Sequence, residues 1–203
     1  MEQFDFASLK RQYGITGVVH VGSHYGDEGW EYLEAGLDQV IMIEADPVAY
    51  EEMSRRFAET AVLCVNALVT DTDSGYTKFF KSNNEVSSSI YEFKDHLSYH
   101  PSVTMVDEFS LHNNRLDTVI SDKPHDKVNC LVVDVQGAEK LVFAGATALM
   151  KQIDVVITEY STAEMYDGGT MYYELEEILF GFERVAPVHL VHHGDALFVR
   201  RNK

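Results

Sequence analysis

Short runs rich in β-branched residues alternate along this chain with longer amphipathic stretches. That alternation restricts the fold more than any other feature, because it is the pattern of strands joined by crossover helices in a mostly parallel sheet. Gly17 to Gly22 (GVVHVG) reads as a first strand, Asp27 to Ala35 as a helix closed by Gly36, and Gln39 to Glu44 as a second strand. Pro47 opens a helix through about Ala58, as proline does in a first turn, and Ala61 to Val65 reads as strand three. Lys127 to Asp134 (KVNCLVVD) is apolar almost up to its terminal acid, as a strand buried on both faces must be. An Ala-rich helix from Ala138 to Met150 follows, then a further strand from Ile153 to Glu159 and a helix from Met171 to Phe180. Phe182 to Val188 and Ala196 to Arg200 read as two closing strands. The expectation is an α/β fold with a doubly wound, mostly parallel sheet in three α/β/α layers.

The stretch from Thr70 to about Ser121 is less regular. Within it TKFFKS reads as an added strand, and NNEVSSSIYEFKDH as a loop entering a short helix. Polar loops of that length are usually functional or mobile. With 203 residues, 45% of them hydrophobic, the chain is read as a single domain over 1–203 with a real core. Thirty-three acidic against 16 basic residues give a net charge of −17, which argues against nucleic acid and against anionic membrane surfaces as partners. Cys64 and Cys130 lie in apolar runs and read as small buried hydrophobes in a reducing compartment. The opening residues carry no apolar signal core, so the expected location is cytoplasmic. The sequence leaves the oligomeric state open.

The stretch VVHVGSHYGDEGWEYLEAG carries the chemistry: a strand runs into a Gly-rich turn and then a helix, and Glu44 ends the next strand about 20 positions past Gly22. An acid so placed can accept both hydroxyls of a ribose. The glycines, however, are spaced GxxxGxxG, and Asp27 and Glu28 fall where the expected helix would begin, which is where a pyrophosphate needs positive potential. Such a turn suits a cofactor with adenine and ribose, no phosphate, and a sulfonium cation on an amino-acid tail. S-adenosylmethionine has that chemistry. The plain alternative is a structural glycine turn with solvated acids.

From about Gly17 to Val199 the chain resembles the FkbM family of S-adenosylmethionine-dependent methyltransferases. The resemblance is carried by VGSHYGDEG, IEADP (Ile43 to Pro47), NALVTD (Asn66 to Asp71), SSSIYE (Ser87 to Glu92), RLDTVI (Arg115 to Ile120), VVDVQGAEKLVFAGA (Val132 to Ala146) and ELEEILFGFERV. It implies the seven-stranded, Rossmann-like class I fold. It also implies that Gly22, Ser23, His24 and Gly26 line the methionine moiety, that Glu44 with Ala45 holds the ribose, and that Asn66 and Ala67 flank the adenine. Asp134 and Gln136, from the DVQGAE string, complete the implied cofactor set. One position departs from the family pattern: the acid usual two residues before the first glycine is His20 here.

Asp134 and Glu159 end adjacent expected strands, and strand carboxyl ends face the ligand crevice in open parallel sheets. Asp134 is the first candidate for the base that takes a hydroxyl proton, with His24 second and Glu159 as its companion. A divalent cation between the two acids is an alternative, not favoured because two carboxylates are few for a dedicated site. Ser87 to Ser89 and Tyr91, and the loop Tyr166 to Gly169, offer hydroxyls and aromatic faces to a polyol, though plain turns look similar. The other histidines, His96, His100, His112, His125, His192 and His193 among them, lack zinc-like spacing and read as surface or loop residues. The reading is an O-methyltransferase acting on a hydroxyl of a sugar or glycan. An NAD-dependent oxidoreductase and a catalytically silent cofactor-binding module stand as alternatives.

Overall fold

The computed structural model describes residues 4–201; residues 1–3 and 202–203, the ends of the expected 1–203 domain, lie outside the described residues. A seven-stranded sheet forms the centre. Its strands are β1 (Gly17–Val21), β2 (Gln39–Glu44), β3 (Leu63–Asn66), β7 (Cys130–Val133), β8 (Val155–Ser161), β9 (Phe182–Ala186) and β10 (His193–Arg200), in the order β3-β2-β1-β7-β8-β10-β9. The pairs from β3 through β8 are parallel, while β10 runs antiparallel to both β8 and β9. The closing strands are therefore a hairpin whose second member inserts between β8 and β9.

Period-two alternation along the buried strands supplies two cores, one on each face. Val18, Met42, Cys130, Val132 and Ile157 meet α1 (Phe6–Tyr13), α2 (Gly29–Glu34) and α3 (Pro47–Arg56) through Phe6, Tyr32, Met53 and Phe57. On the other face Val19, Val21, Ile43, Leu131, Val133 and Phe198 meet α5 (Leu116–Val119), α6 (Glu139–Gly145) and α7 (Tyr172–Ile178) through Leu116, Val142, Phe143 and Leu175. Three α/β/α layers result. Among the described residues no helix is long and apolar enough to cross a membrane.

Three differences from the sequence reading have local causes. The helix expected from Asp27 begins at Gly29, because the backbone is left-handed at Gly22, His24 and Gly26 and still turning at Asp27 and Glu28. The helix expected over Ala138 to Met150 stops at Gly145 and resumes as a 3₁₀ turn, Leu149–Lys151. There the Asp117 carboxylate accepts the backbone N–H groups of Ala148 and Leu149 at 2.8 and 3.0 Å, starting a new turn as an N-cap would. The irregular middle contains a second sheet, β4 (Leu68–Thr70), β6 (Met105–Arg115) and β5 (Tyr76–Ser82), in the order β4-β6-β5. The TKFFKS strand is present as β5. The eleven-residue β6 has no counterpart in the sequence reading because most of its residues face solvent or are half-buried, which leaves the apolar alternation faint.

Candidate active site

The sheet register aligns the candidate residues. Val21 pairs with Ile43 and with Val133, and Val133 pairs with Thr158. The residues that follow, Gly22, Glu44, Asp134 and Glu159, therefore form a row across the carboxyl ends of four neighbouring strands. A cavity of about 520 Å³ opens over this row, lined also by the Gly-rich turn, by residues 84–88 and Ile90, and by Phe79 of β5. That volume is in the range of small-molecule sites.

Gly22 is where the turn and β7 come closest. Its φ is +82°, and a Cβ there would lie 1.7 Å from the Asp134 carbonyl oxygen, so only glycine fits. Glu44 anchors the turn: one carboxylate oxygen accepts the backbone N–H of His24 and the other that of Asp46, both at 2.7 Å. Each oxygen keeps a lone pair for a further donor. Burial raises the Glu44 carboxyl to about 7 against the lowering effect of those two N–H groups.

Asp134 and Glu159 are joined by one side chain. Gln136 Nε2 donates to Asp134 Oδ1 at 2.7 Å and to Glu159 Oε1 at 2.9 Å, while its Oε1 accepts the Tyr166 hydroxyl at 2.7 Å. The Tyr166 bond fixes which end of the amide faces the acids. Gln136 itself is left-handed, with φ +53°, and its carbonyl accepts the Ser89 hydroxyl. His193 Nε2 stands 3.1 Å from Glu159 Oε1, and that hydrogen bond raises the imidazole above its ordinary value. Desolvation and then the Glu159 charge push the Asp134 carboxyl well above the usual carboxylate range.

Of the expected site residues, Gly22, Ser23, His24, Glu44, Ala45, Ala67, Asp134, Gln136 and Glu159 all line the cavity. Gly26 and Asn66 do not. Gly26, left-handed at φ +78°, packs against Phe57 and Met53, and a Cβ there would lie 2.8 Å from the Phe57 ring. Asn66 turns its amide back to donate to the carbonyls of Glu44 and Ala45 at 2.8 and 3.1 Å, bracing the loop after β2. His24 is more than a surface turn residue: its ring packs 4.0 Å from Tyr25, its Nε2 is buried without a partner, and burial lowers its pKa. His20 also lines the cavity; it is 1% exposed, pairs through Nδ1 with the Tyr32 hydroxyl at 3.0 Å, and burial lowers its pKa to about 4.

Ser87 and Ser88 reach the cavity wall, but their hydroxyls serve the loop itself. Ser87 accepts from Asn84 Nδ2 at 3.0 Å, and Ser88 donates to the Glu85 carbonyl at 2.6 Å. Tyr166 and Gly169 lie behind Gln136, outside the main cavity. Sequence makes His193 a surface or loop residue; the structure places it in the cavity wall, together with His100. Its place depends on the antiparallel register of β10 on β8, which no local pattern encodes.

The charge of the lining is one-sided. Asp27, Glu28, Glu44, Asp46, Glu85, Asp134 and Glu159 contribute to it, and among the described residues no lysine or arginine does. Three of these acids are paired from outside, Asp27 with Arg56 at 2.7 Å, and Asp46 and Glu85 with Lys81 at 2.8 and 3.9 Å. Among the described residues no three histidines, cysteines or carboxylates converge so as to hold a metal ion.

Comparison with known proteins gives concordant results. The family model described as the methyltransferase FkbM domain matches residues 20–186. The 2-O-methyltransferase NoeI of Sinorhizobium fredii (strain NBRC 101917 / NGR234) is 26% identical over 188 residues, 89% of this chain and 77% of that protein. Among solved structures, the magnesium protoporphyrin IX methyltransferase of Synechocystis PCC 6803 with bound SAM superposes with a TM-score of 0.52 at 12% identity, over 97% of this chain and 76% of that one. A TehB-like SAM-dependent methyltransferase of Corynebacterium glutamicum gives 0.50 at 12% identity, over 98% and 89%. These last two likenesses establish the class I, Rossmann-like fold.

Proposed function

The chain belongs to the methyltransferase FkbM domain family, and from that premise we propose that it transfers a methyl group from S-adenosylmethionine to a hydroxyl oxygen of a sugar or glycan. The observation that carries the reading is the acid-lined cavity without a lysine or arginine in its lining among the described residues. A diphosphate there would meet carboxylates and no lysine or arginine, whereas a sulfonium and an ammonium group meet complementary charge. This weighs against the nicotinamide alternative.

The residues present fit such a cofactor. Glu44 retains lone pairs for a ribose diol, and Ile43, Ala67, Leu68, Val69 and Phe79 give an apolar slot for an adenine. When bound, the cofactor supplies an electrophilic methyl group on a positively charged sulfur. The rest falls to the chain. The Gly-rich turn, with Ser23 and His24, holds the amino-acid tail side, while residues 84–88 and Ile90 line the cavity beside it and hold the reactants in place. Asp134, aided by Glu159, takes the acceptor's proton; a positioned base of this kind contributes about 10²- to 10⁴-fold.

Support for an oxygen acceptor comes from the name of the 2-O-methyltransferase relative, and support for a polyol from the His100 and His193 imidazoles in the cavity wall. The net charge of −17 weighs against nucleic acid and membranes as partners, and two free cysteines accord with the cytoplasm. Thermal-shift titration tests the cofactor: stabilisation by S-adenosylhomocysteine and none by NAD is expected, and the reverse overturns the reading. Transfer of labelled methyl to a panel of mono- and oligosaccharides tests the acceptor; binding without transfer to any hydroxyl compound would leave a silent binding module.

A further inference from the structure

The Asp134 and Glu159 carboxyl groups share one amide nitrogen. Gln136 Nε2 carries two hydrogens and serves Asp134 at 2.7 Å and Glu159 at 2.9 Å, so the two acids lie within two hydrogen bonds of each other. Gln136 has no freedom to relieve them by turning, since its Oε1 takes the Tyr166 hydroxyl and its backbone carbonyl takes that of Ser89. Further acids surround the pair. Asp195 of β10 pairs across from Glu159, and Glu139 of α6, 2% exposed, accepts the Gly137 N–H at 3.0 Å, burial raising its carboxyl to about 7. Against these stands His193, bonded to Glu159 at 3.1 Å; His96, which opens α4 (His96–Tyr99), is also near, but burial lowers its pKa to about 4, so it adds no positive charge at neutral pH. Compensation is therefore unequal, with the His193 imidazole and a Gln136 N–H for Glu159 and a single N–H for Asp134.

Resting on the methyl-transfer reading above, we propose that Asp134 is a base armed by the cofactor itself. In the ligand-free enzyme Asp134 holds a proton that it shares with the Glu159 network; with a sulfonium cation bound in the cavity Asp134 would give that proton to solvent, and it would take up the acceptor hydroxyl's proton during transfer. The charges balance. The ionised Asp134 takes the hydroxyl proton as the acceptor oxygen's electron pair forms the new C–O bond. The pair of the broken C–S bond stays on sulfur, so a cation and an anion become two neutral groups. Gln136 and His193 act as positioning residues, His193 by its hydrogen bond to Glu159 and Gln136 by tying Glu159 to Asp134. The elevated carboxyl of Asp134 agrees with this assignment.

The consequence is a difference in proton release between two ligands that differ by one charge. Calorimetric titration of the full chain near pH 7, in buffers of different ionisation enthalpy, counts protons released on binding S-adenosylmethionine and on binding S-adenosylhomocysteine. The methylated ligand should release up to about one proton more, and its affinity relative to the demethylated one should rise by up to about tenfold per pH unit while Asp134 is protonated. Asp134→Asn should abolish the difference, and Glu159→Gln, which keeps the Gln136 contact but removes a like charge, should reduce it. Equal proton counts in the unaltered protein overturn the proposal without any variant, as does a difference that persists in Asp134→Asn. Binding of neither ligand overturns the methyl-transfer reading and this inference together, so the two failures are distinguishable.

Discussion

Gln136 sits two residues past Asp134 in a left-handed backbone conformation, and its side chain curls back so that Nε2 lies 2.7 Å from the Asp134 carboxylate. The strained φ is what lets one amide reach both that acid and Glu159 on the neighbouring strand. Non-glycine residues hold such a conformation only where surrounding contacts impose it, and here Tyr166 and Ser89 do.

Gln136→Leu should therefore destabilise the protein beyond a simple loss of packing. It removes both donors and leaves the Tyr166 hydroxyl without its amide acceptor, a cost of roughly 1–3 kcal/mol for the unsatisfied buried groups. Urea denaturation measures it. Unchanged stability would mean that the bridge contributes nothing.

Two left-handed glycines separate space from backbone strain. Gly14 has φ +67°, and a Cβ added there would meet nothing within 4 Å, whereas Gly22 has φ +82° and the Asp134 carbonyl oxygen at 1.7 Å from the same added atom. Gly14→Ala should cost only the conformational penalty of roughly 1–2 kcal/mol. Gly22→Ala must also push β1 and β7 apart, so its melting temperature should fall much further and binding of S-adenosylhomocysteine should be lost. Similar melting temperatures for the two variants would refute this.

Glu44 gives a signed dependence on pH. Its folded-state value is raised to about 7 while an unfolded glutamate titrates near 4.5, so between those values the folded protein holds more protons. Stability from this group is complete below the unfolded value and is lost as pH rises through the folded one. Other groups titrate in the same range, so the clean observable is a difference: the melting temperature of Glu44→Gln minus that of the unaltered protein should increase from pH 5 to pH 8. A flat difference excludes a raised carboxyl.

Ala67 is a small residue on the apolar cavity wall. Ala67→Phe should fill the slot assigned to adenine and weaken S-adenosylhomocysteine binding at least about tenfold, since a misfit at a packed wall costs more than about 1 kcal/mol. Circular dichroism should show the secondary structure intact. Undiminished affinity would place the adenine elsewhere.

Much of this is written locally in the chain. Strand runs ending in Gly22, Glu44, Asp134 and Glu159, with Pro47 and the Gly-rich turn, specify a parallel sheet and the acids at its carboxyl edge, because period-two burial and turn chemistry act over neighbouring residues. Gly26 and Asn66 show where that reading stops: motif position puts them at the ligand, while contacts with Phe57 and with the Glu44 and Ala45 carbonyls make them braces. The long strand Met105–Arg115, which pairs with Tyr76–Ser82, is also hidden, since a strand facing solvent needs no apolar alternation. His193 is the sharpest case. It reaches Glu159 only because β10 returns antiparallel along β8, so its register is set by residues far away in sequence, and with it the charge balance around Asp134. Sequence determined which acids stand at the sheet's edge; tertiary pairing decided which of them has an imidazole beside it, because electrostatic compensation depends on distance through space and not along the chain.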